Sequence, residues 1–228
     1  MASKENLRTP AVEDYSKAIF ALESRTEEPV PTNALAERLG ITPGSVSAML
    51  KRLDELGLIV HVPYRGVRLT EDGRRIALEV IRHHRLLECY LADALGMPWD
   101  RVHAEAEVLE HVLSDELEEL IASKLGHPTV DPHGDPIPTV DYALHETETD
   151  RLGDLAVGAR GRFVRVSDQD PEMLRYLAEQ GIRLGDTLEV VDRQPFGGPL
   201  FVRFGKRVHP LGDGLARAMR VEPLEEGL

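Results

Sequence analysis

Residues 32 to 70, TNALAERLGITPGSVSAMLKRLDELGLIVHVPYRGVRLT, hold the pattern that decides the fold. Thr32 stands as a cap before NALAERLG, and Gly40 supplies a stop. Thr42-Pro43 then opens SVSAMLKRLDELG, with the proline at a first-turn position, where its missing N–H costs nothing, and with Gly57 at the end. Two short helices therefore meet at a tight turn. LIVHV and GVRLT follow as brief β-rich runs separated by Pro63-Tyr64-Arg65, which predicts a hairpin. Helix, turn, helix and hairpin is the order of a winged helix-turn-helix, whose second helix enters the major groove of double-stranded DNA. Thr42, Pro43, Ser45, Ser47 and Lys51 open that helix, small or polar where phosphates and base edges come close, and Arg65 and Arg68 lie on the wing. The same residues also suit a plain three-helix packing unit whose Ser and Thr are caps.

Upstream, VEDYSKAIFALES places Val12, Tyr15, Ile19 and Leu22 at helical spacing. Downstream, Thr70-Glu71 caps a long helix reaching about Leu95, and Asp100 opens another through VHAEAEVLEHVLSDELEELIASKLG with a break at Ser114. Gly126, Pro128, Pro132, Gly134, Pro136 and Pro138 mark a rigid irregular stretch, and ALHETETDRLGD is a linker. Beyond it GRFVRVS, DTLEVVD, PLFVRFG and AMRVEPL predict short strands of a small barrel, interrupted by the helix PEMLRYLAEQG. The chain therefore reads as mainly α with small β parts, in three domains over residues 1–73, 74–148 and 149–228.

A net charge of −13 argues at first against a nucleic-acid partner, but its distribution reverses that. Residues 1–75 and 151–228 are each balanced, whereas residues 76–150 carry 4 basic against 17 acidic side chains and seven of the nine histidines. A neutral head and an acidic, His-rich middle are different devices. The lone cysteine, Cys89, cannot form an internal disulfide and reads as core. The start MASKENLRTP lacks the apolar stretch of a secretion signal, and no run approaches the roughly 18 apolar residues that span a bilayer. A cytoplasmic protein with no membrane partner is expected.

On a single helix, His103, Glu107, Glu110 and His111 fall at i, i+4, i+7 and i+8 and share one stripe, and His84 and Glu88 also face one way. Two such helices side by side make a cage for a divalent first-row metal, leaning to harder ions for want of thiolate. The alternatives are a solvated acidic face, or a catalytic site, since Glu107-x-x-Glu110-His111 is one substitution from the His-x-x-Glu-His pattern of some metalloproteases. The Glu at the first position argues against an enzyme. His83, next to His84, turns off the cage face and reads as surface, and His127, His133 and His145, in irregular chain, receive no role.

HHRLLE, VHAEAEVLEHVLSDELE and DPHGDPIP, following a winged helix, resemble the diphtheria toxin repressor family over essentially the whole chain. The resemblance implies a DNA-binding domain, a helical metal-binding and dimerisation domain and a C-terminal SH3-like (FeoA-like) domain. It implies a primary site of Asp14, Glu107, Glu110 and His111. Iron-responsive members have Met and Cys at the first two of these places, whereas manganese-responsive members, like this chain, have oxygen ligands. It implies an ancillary site of His84, Glu88 and His103, with Asp170 at a third-domain ligand position and Met173 where iron-type members have Gln. Short manganese regulators build a two-metal cluster with an extra Glu on helix one, where this chain has Lys17. The expected protein is a homodimeric Mn²⁺-dependent repressor of metal-uptake genes, with Fe²⁺, Co²⁺ or Zn²⁺ as possible substitutes. An iron-dependent repressor of the same family, or a metal-independent winged-helix regulator, is the alternative.

Overall fold

The computed structural model describes residues 9–167 and 170–224. The chain forms two compact units, one comprising the chain up to His84 with Glu107–Glu119 and Pro138–Leu144, the other Arg85–Ala106, Leu120–Ile137 and the chain from His145.

The first unit opens with α1 (Pro10–Thr26), α2 (Thr32–Leu39) and α3 (Pro43–Glu55), followed by β1 (Ile59–Val62) and β2 (Gly66–Leu69). Proline starts both α1 and α3, at Pro43 as the sequence predicts, and Gly40 ends α2 in the left-handed conformation, also as predicted; the N-cap of α2 is Pro31, with no side-chain cap, and the predicted cap Thr32 is the first residue of the helix. The helices bury Ile19, Leu35, Val46, Leu50 and Leu53 against Ile59 and Val67 in one core. At a site such as Leu53, 0% exposed, truncation to Ala costs about 2–5 kcal/mol. The hairpin is antiparallel, pairing Ile59 with Leu69, and Val67 exchanges backbone hydrogen bonds with Val30, so the wing is sewn to the chain after α1. Gly66 enforces that approach, because a Cβ there would stand 2.2 Å from the Val30 carbonyl oxygen.

Helix α4 (Glu71–Cys89) closes in a π turn at Tyr90–Ala94, where the sequence predicts an unbroken helix to Leu95. Then come α5 (Trp99–Leu109) and α6 (Asp115–Lys124). The second unit holds β3 (Asp150–Arg151), β4 (Arg160–Val166), α7 (Pro171–Gln180), β5 (Thr187–Arg193), β6 (Leu200–Phe204), β7 (Arg207–Leu211), α8 (Asp213–Ala218) and β8 (Met219–Pro223). The strands form one six-stranded sheet in the order β3-β8-β4-β5-β6-β7, around a core of Phe163, Leu174, Leu177, Val190, Val202 and Val221. No helix among the described residues is long and apolar enough to cross a membrane.

Candidate metal centre and nucleic-acid interface

Asp14, from the second turn of α1, meets Glu110 and His111, which lie just past the end of α5. His111 Nε2 is 3.1 Å from Asp14 Oδ1 and 3.8 Å from Glu110 Oε1. His111 Nδ1 is 2.6 Å from Glu13 Oε2, so the ring can donate to Glu13 and keep Nε2 for a ligand on the Asp14 side. Burial raises the Asp14 carboxyl above its ordinary value, although the His111 ring pulls the other way.

The expected stripe along one helix does not form. α5 ends at Leu109, and Glu110 and His111 sit in the turn that follows, which frees His111 to reach α1. Glu107 does not join the trio of Asp14, Glu110 and His111; its carboxylate belongs with Glu110 and His84 in a second group of potential ligands. Lys17 Nζ stands in that group, 2.6 Å from Glu107 Oε1 and 2.8 Å from both Glu110 oxygens. Burial works against the Lys17 charge, yet attraction to Glu110 and Glu107 outweighs it and holds the ammonium above its usual value. His84 Nδ1 contacts Glu110 Oε2 and lies 3.4 Å from Lys17 Nζ. His83, expected on the surface, is buried: Nδ1 lies 3.2 Å from the Glu110 carbonyl oxygen and Nε2 lies 2.9 Å from Glu118 Oε2.

In the second unit His103 Nδ1 is 3.3 Å from Glu88 Oε1. Glu88, Asp131 and His133 form a group whose potential ligand atoms lie within 4.8 Å of one another, all three residues buried. The sequence pattern assigns Asp131 and His133 no role. His133 Nε2 lies 2.8 Å from the Trp99 carbonyl oxygen, to which it can donate, and Nδ1 faces Glu88 Oε2 at 3.6 Å without hydrogen bonding among the described residues. An imidazole whose outer N–H is tied to a carbonyl while the inner nitrogen faces carboxylates is the arrangement of a metal ligand. Asp131 Oδ1 accepts from the backbone N–H groups of His133 and Asp135, which shapes the turn and leaves Oδ2 for other partners. Burial and the Asp135 and Glu88 carboxylates raise the Asp131 carboxyl, while Glu88 and Asp131 raise His133 against the opposing effect of burial. The signal was present as Asp131-x-His133 in DPHGDPIP, but an i, i+2 pair in irregular chain defines no common face. Asp170 caps α7, its Oδ1 accepting from Glu172 and Met173 N–H. Cys89 is core, as expected, with its Sγ 3.6 Å from the Val130 carbonyl oxygen and its thiol pushed up by burial.

On α3, Thr42 is the N-cap and accepts from Ser45 N–H, and Ser47 Oγ donates to the Pro43 carbonyl. These residues and Lys51 are exposed, as is Arg52, to which the sequence pattern assigns no role. The wing tip carries Tyr64, fully exposed with φ +61°. Arg65 pairs with Glu28, and Arg68 donates to Glu23 Oε1 at 2.9 Å and to the Glu27 carbonyl at 2.6 Å.

Residues 8–67 match the family described as the iron dependent repressor N-terminal DNA binding domain. Residues 70–139 match its metal binding and dimerisation domain, and residues 151–223 match the FeoA domain. The diphtheria toxin repressor of Corynebacterium efficiens is 34% identical over 224 residues, covering 93% of this chain and 95% of that protein. The iron-dependent repressor IdeR of Mycobacterium bovis is 32% identical over 222 residues, covering 92% and 96%. Among solved structures, a manganese-dependent transcriptional repressor in complex with manganese superposes with a TM-score of 0.87 at 42% identity, over 93% of this chain and 100% of that one. ScaR with bound Cd²⁺ gives 0.80 at 28% identity, over 93% and 99%. A winged helix, a carboxylate and imidazole centre beside it and matches along nearly the whole chain lead to one conclusion: the protein belongs to the diphtheria toxin repressor family of metal-dependent, DNA-binding transcriptional repressors.

Proposed function

We propose that this chain is a Mn²⁺-activated cytoplasmic regulator, not an enzyme, that binds double-stranded operator DNA as a homodimer and represses metal-uptake genes. The observation that carries the metal assignment is the donor set at Asp14, Glu110 and His111: two carboxylates, one imidazole and no sulfur. Such a set fits a hard or borderline divalent ion and suits Mn²⁺ better than a thiolate site would. The iron-type relatives set the competing reading, Fe²⁺ at the same residues. The manganese-bound structural neighbour at 42% identity supports Mn²⁺. A divalent ion bound by these residues would supply two positive charges to offset their carboxylates. Asp14 holds the α1 side, Glu110 and His111 the other, and Glu107 stands beside them. For a second ion the residues proposed are those the family resemblance implies, His84, Glu88 and His103 with Asp170, and the buried Asp131 and His133 beside Glu88 are added to them. The domain assignment over residues 1–73, 74–148 and 149–228 follows the same reading.

Activation then requires that the DNA-competent arrangement bind metal more tightly than the relaxed one, and by reciprocity operator DNA tightens metal binding. Thr42, Pro43, Ser45, Ser47, Lys51 and Arg65 face the DNA. The matched dimerisation domain and the exposed Val108, Val112 and Leu117 support two-fold pairing. The test is operator binding by purified apoprotein titrated separately with Mn²⁺, Fe²⁺ and Zn²⁺. Mn²⁺ activates at the lowest free concentration relative to its ordinary ligand affinity; equal operator affinity with and without chelator refutes metal control, and activation by Fe²⁺ alone refutes the metal assignment.

A further inference from the structure

We propose that the outer face of the six-stranded sheet carries a binding site for a phosphate group, that of inorganic phosphate or of a phosphomonoester, formed by the guanidinium groups of Arg151 and Arg220 with Arg165 beside them.

These three arginines stand in one cross-strand row. Arg151 of β3 and Arg165 of β4 are both register partners of Arg220 on β8, the strand between them. Met219 and Val221, on either side of Arg220, are fully buried, so alternation turns Arg220 and the two residues opposite it to the outer face. In β4 the register shifts between Phe163 and Arg165. Phe163 is buried, and strict alternation would place Arg165 on its side of the sheet; the bulge re-aims Arg165 outward, into the row. Like charges directly opposite one another destabilise a sheet, so a row of three that a bulge completes calls for an anion.

The carboxylates nearby leave two of the three guanidinium groups open. Arg165 donates to Asp135 Oδ1 at 3.3 Å, and Arg162, further along β4, pairs with Glu222 at 4.0 Å. Among the described residues, Arg151 and Arg220 have no side-chain hydrogen-bond or ion-pair partner. Burial, then repulsion by Arg165 and Arg151, hold the Arg220 guanidinium below its ordinary value, and Glu146 and Asp154 attract it more weakly. The planar fork of a guanidinium matches the oxygens of a phosphate or a carboxylate, and charge chooses between them. Two open guanidinium groups carry two positive charges. A phosphomonoester carries about −1.5 to −2 at pH 7, whereas a carboxylate or one phosphate of the DNA backbone carries a single charge. Arg151 and Arg220 lie one strand spacing apart, about 4.8 Å, which one tetrahedral anion can bridge.

The experiment titrates the full-length protein with inorganic phosphate and, separately, with a nucleoside monophosphate, by calorimetry at constant ionic strength with chloride as the balancing anion. Metal is left out, because phosphate complexes divalent ions. The parent should bind one phosphate per chain, and Arg220→Gln and Arg151→Gln should each weaken that binding by about tenfold or more. Arg162→Gln, on the same face but already paired, should bind as the parent does. Melting gives a second readout. Without phosphate, Arg220→Gln should melt above the parent, because repulsion in the row is relieved, and phosphate should raise the melting temperature of the parent but not of the variant. If Arg220→Gln fails to fold, Arg151→Gln, exposed on the edge strand β3, carries the test. Tighter binding of the nucleoside monophosphate assigns the site to a phosphomonoester; equal or weaker binding assigns it to inorganic phosphate. No saturable binding by the parent, or equal binding by all four proteins, overturns the proposal. So does a parent that ignores both phosphates while Arg220→Gln loses affinity for duplex DNA without an operator, since the row then serves a polyanion.

Discussion

At His111 the two ring nitrogens face different partners, Glu13 at Nδ1 and Asp14 at Nε2, and this division sets what the ring can do. A carboxylate on the outer nitrogen fixes the tautomer and raises the basicity of the inner one, and loss of such a partner typically costs 10- to 100-fold in metal affinity. Glu13→Gln preserves shape and removes the charge, so it should weaken Mn²⁺ binding by about tenfold while the fold, read by circular dichroism, stays intact. An unchanged Mn²⁺ affinity would detach Glu13 from the site. Asp14 was legible from the family pattern because it occupies a ligand position; Glu13 was not, because a neighbour on a helix points about 100° away and only the position of the loop carrying His111 brings it into play. The burial of His83 was hidden for the same reason. Helical geometry correctly turns it off the cage face, but that side of the helix meets Glu118 and the Glu110 carbonyl, not water.

At the scale of elements, the wing and α3 should act through charge and shape separately. Lys51 is 79% exposed and its 3.9 Å contact with Glu55 is an i, i+4 pair worth little, and the exposed Arg65–Glu28 pair is equally open to exchange for a phosphate. Lys51→Ala and Arg65→Ala should therefore weaken binding to every sequence, each lowering the magnitude of the slope of log affinity against log salt by about 0.9 for every phosphate left without its cation. Two unchanged slopes would remove both residues from the DNA backbone. The segment carrying Asp131 and His133 is held differently: the His133 carbonyl accepts from Val166 N–H, Arg165 reaches Asp135 at 3.3 Å, and Gly134 has φ +88°. A Cβ at Gly134 would stand 2.0 Å from the Val164 carbonyl oxygen, so Gly134→Ala must push this loop off β4. That variant should lose an ion bound at the Glu88 group while retaining the one at Asp14, and full retention of both in a metal count would contradict the proposed second site. The strand and helix pattern was largely readable because capping and alternation are local. β7 escaped because Pro210 sits in it, and a proline is tolerated there only because β7 is an edge of the sheet. The end of α5 was hidden too, since nothing in EVLEHVLSDELE but Ser114 signals a break, yet the turn at Glu110 is what brings the ligands to α1.

For the whole molecule, one winged helix reads too few base pairs for specific binding in a genome, so the proposed function calls for pairing two chains across a near-palindromic operator. The exposed apolar side chains bear on how that pairing is made. Val108 is 70% exposed and Leu117 is 48% exposed, both in the first unit. Neither belongs to a buried core, so a charge placed at either costs the isolated chain little, whereas the same charge buried in an interface without a partner costs several kcal/mol. The double variant Val108→Asp with Leu117→Asp should thus remain folded and be a monomer at micromolar concentration in the presence of Mn²⁺, as read by sedimentation. Because Asp14, Glu110 and His111 are untouched, it should still bind Mn²⁺ at that centre. Operator binding should fall toward the sequence-independent range of about 10⁻⁴–10⁻⁶ M, since each monomer then engages a single half-site. Three outcomes separate the parts of this argument. A persistent dimer places the interface elsewhere on the chain. A monomer that binds operator as tightly as the parent removes the need for pairing. A monomer that has also lost Mn²⁺ would mean that metal binding and dimerisation are one event, with the trio completed only in the paired protein.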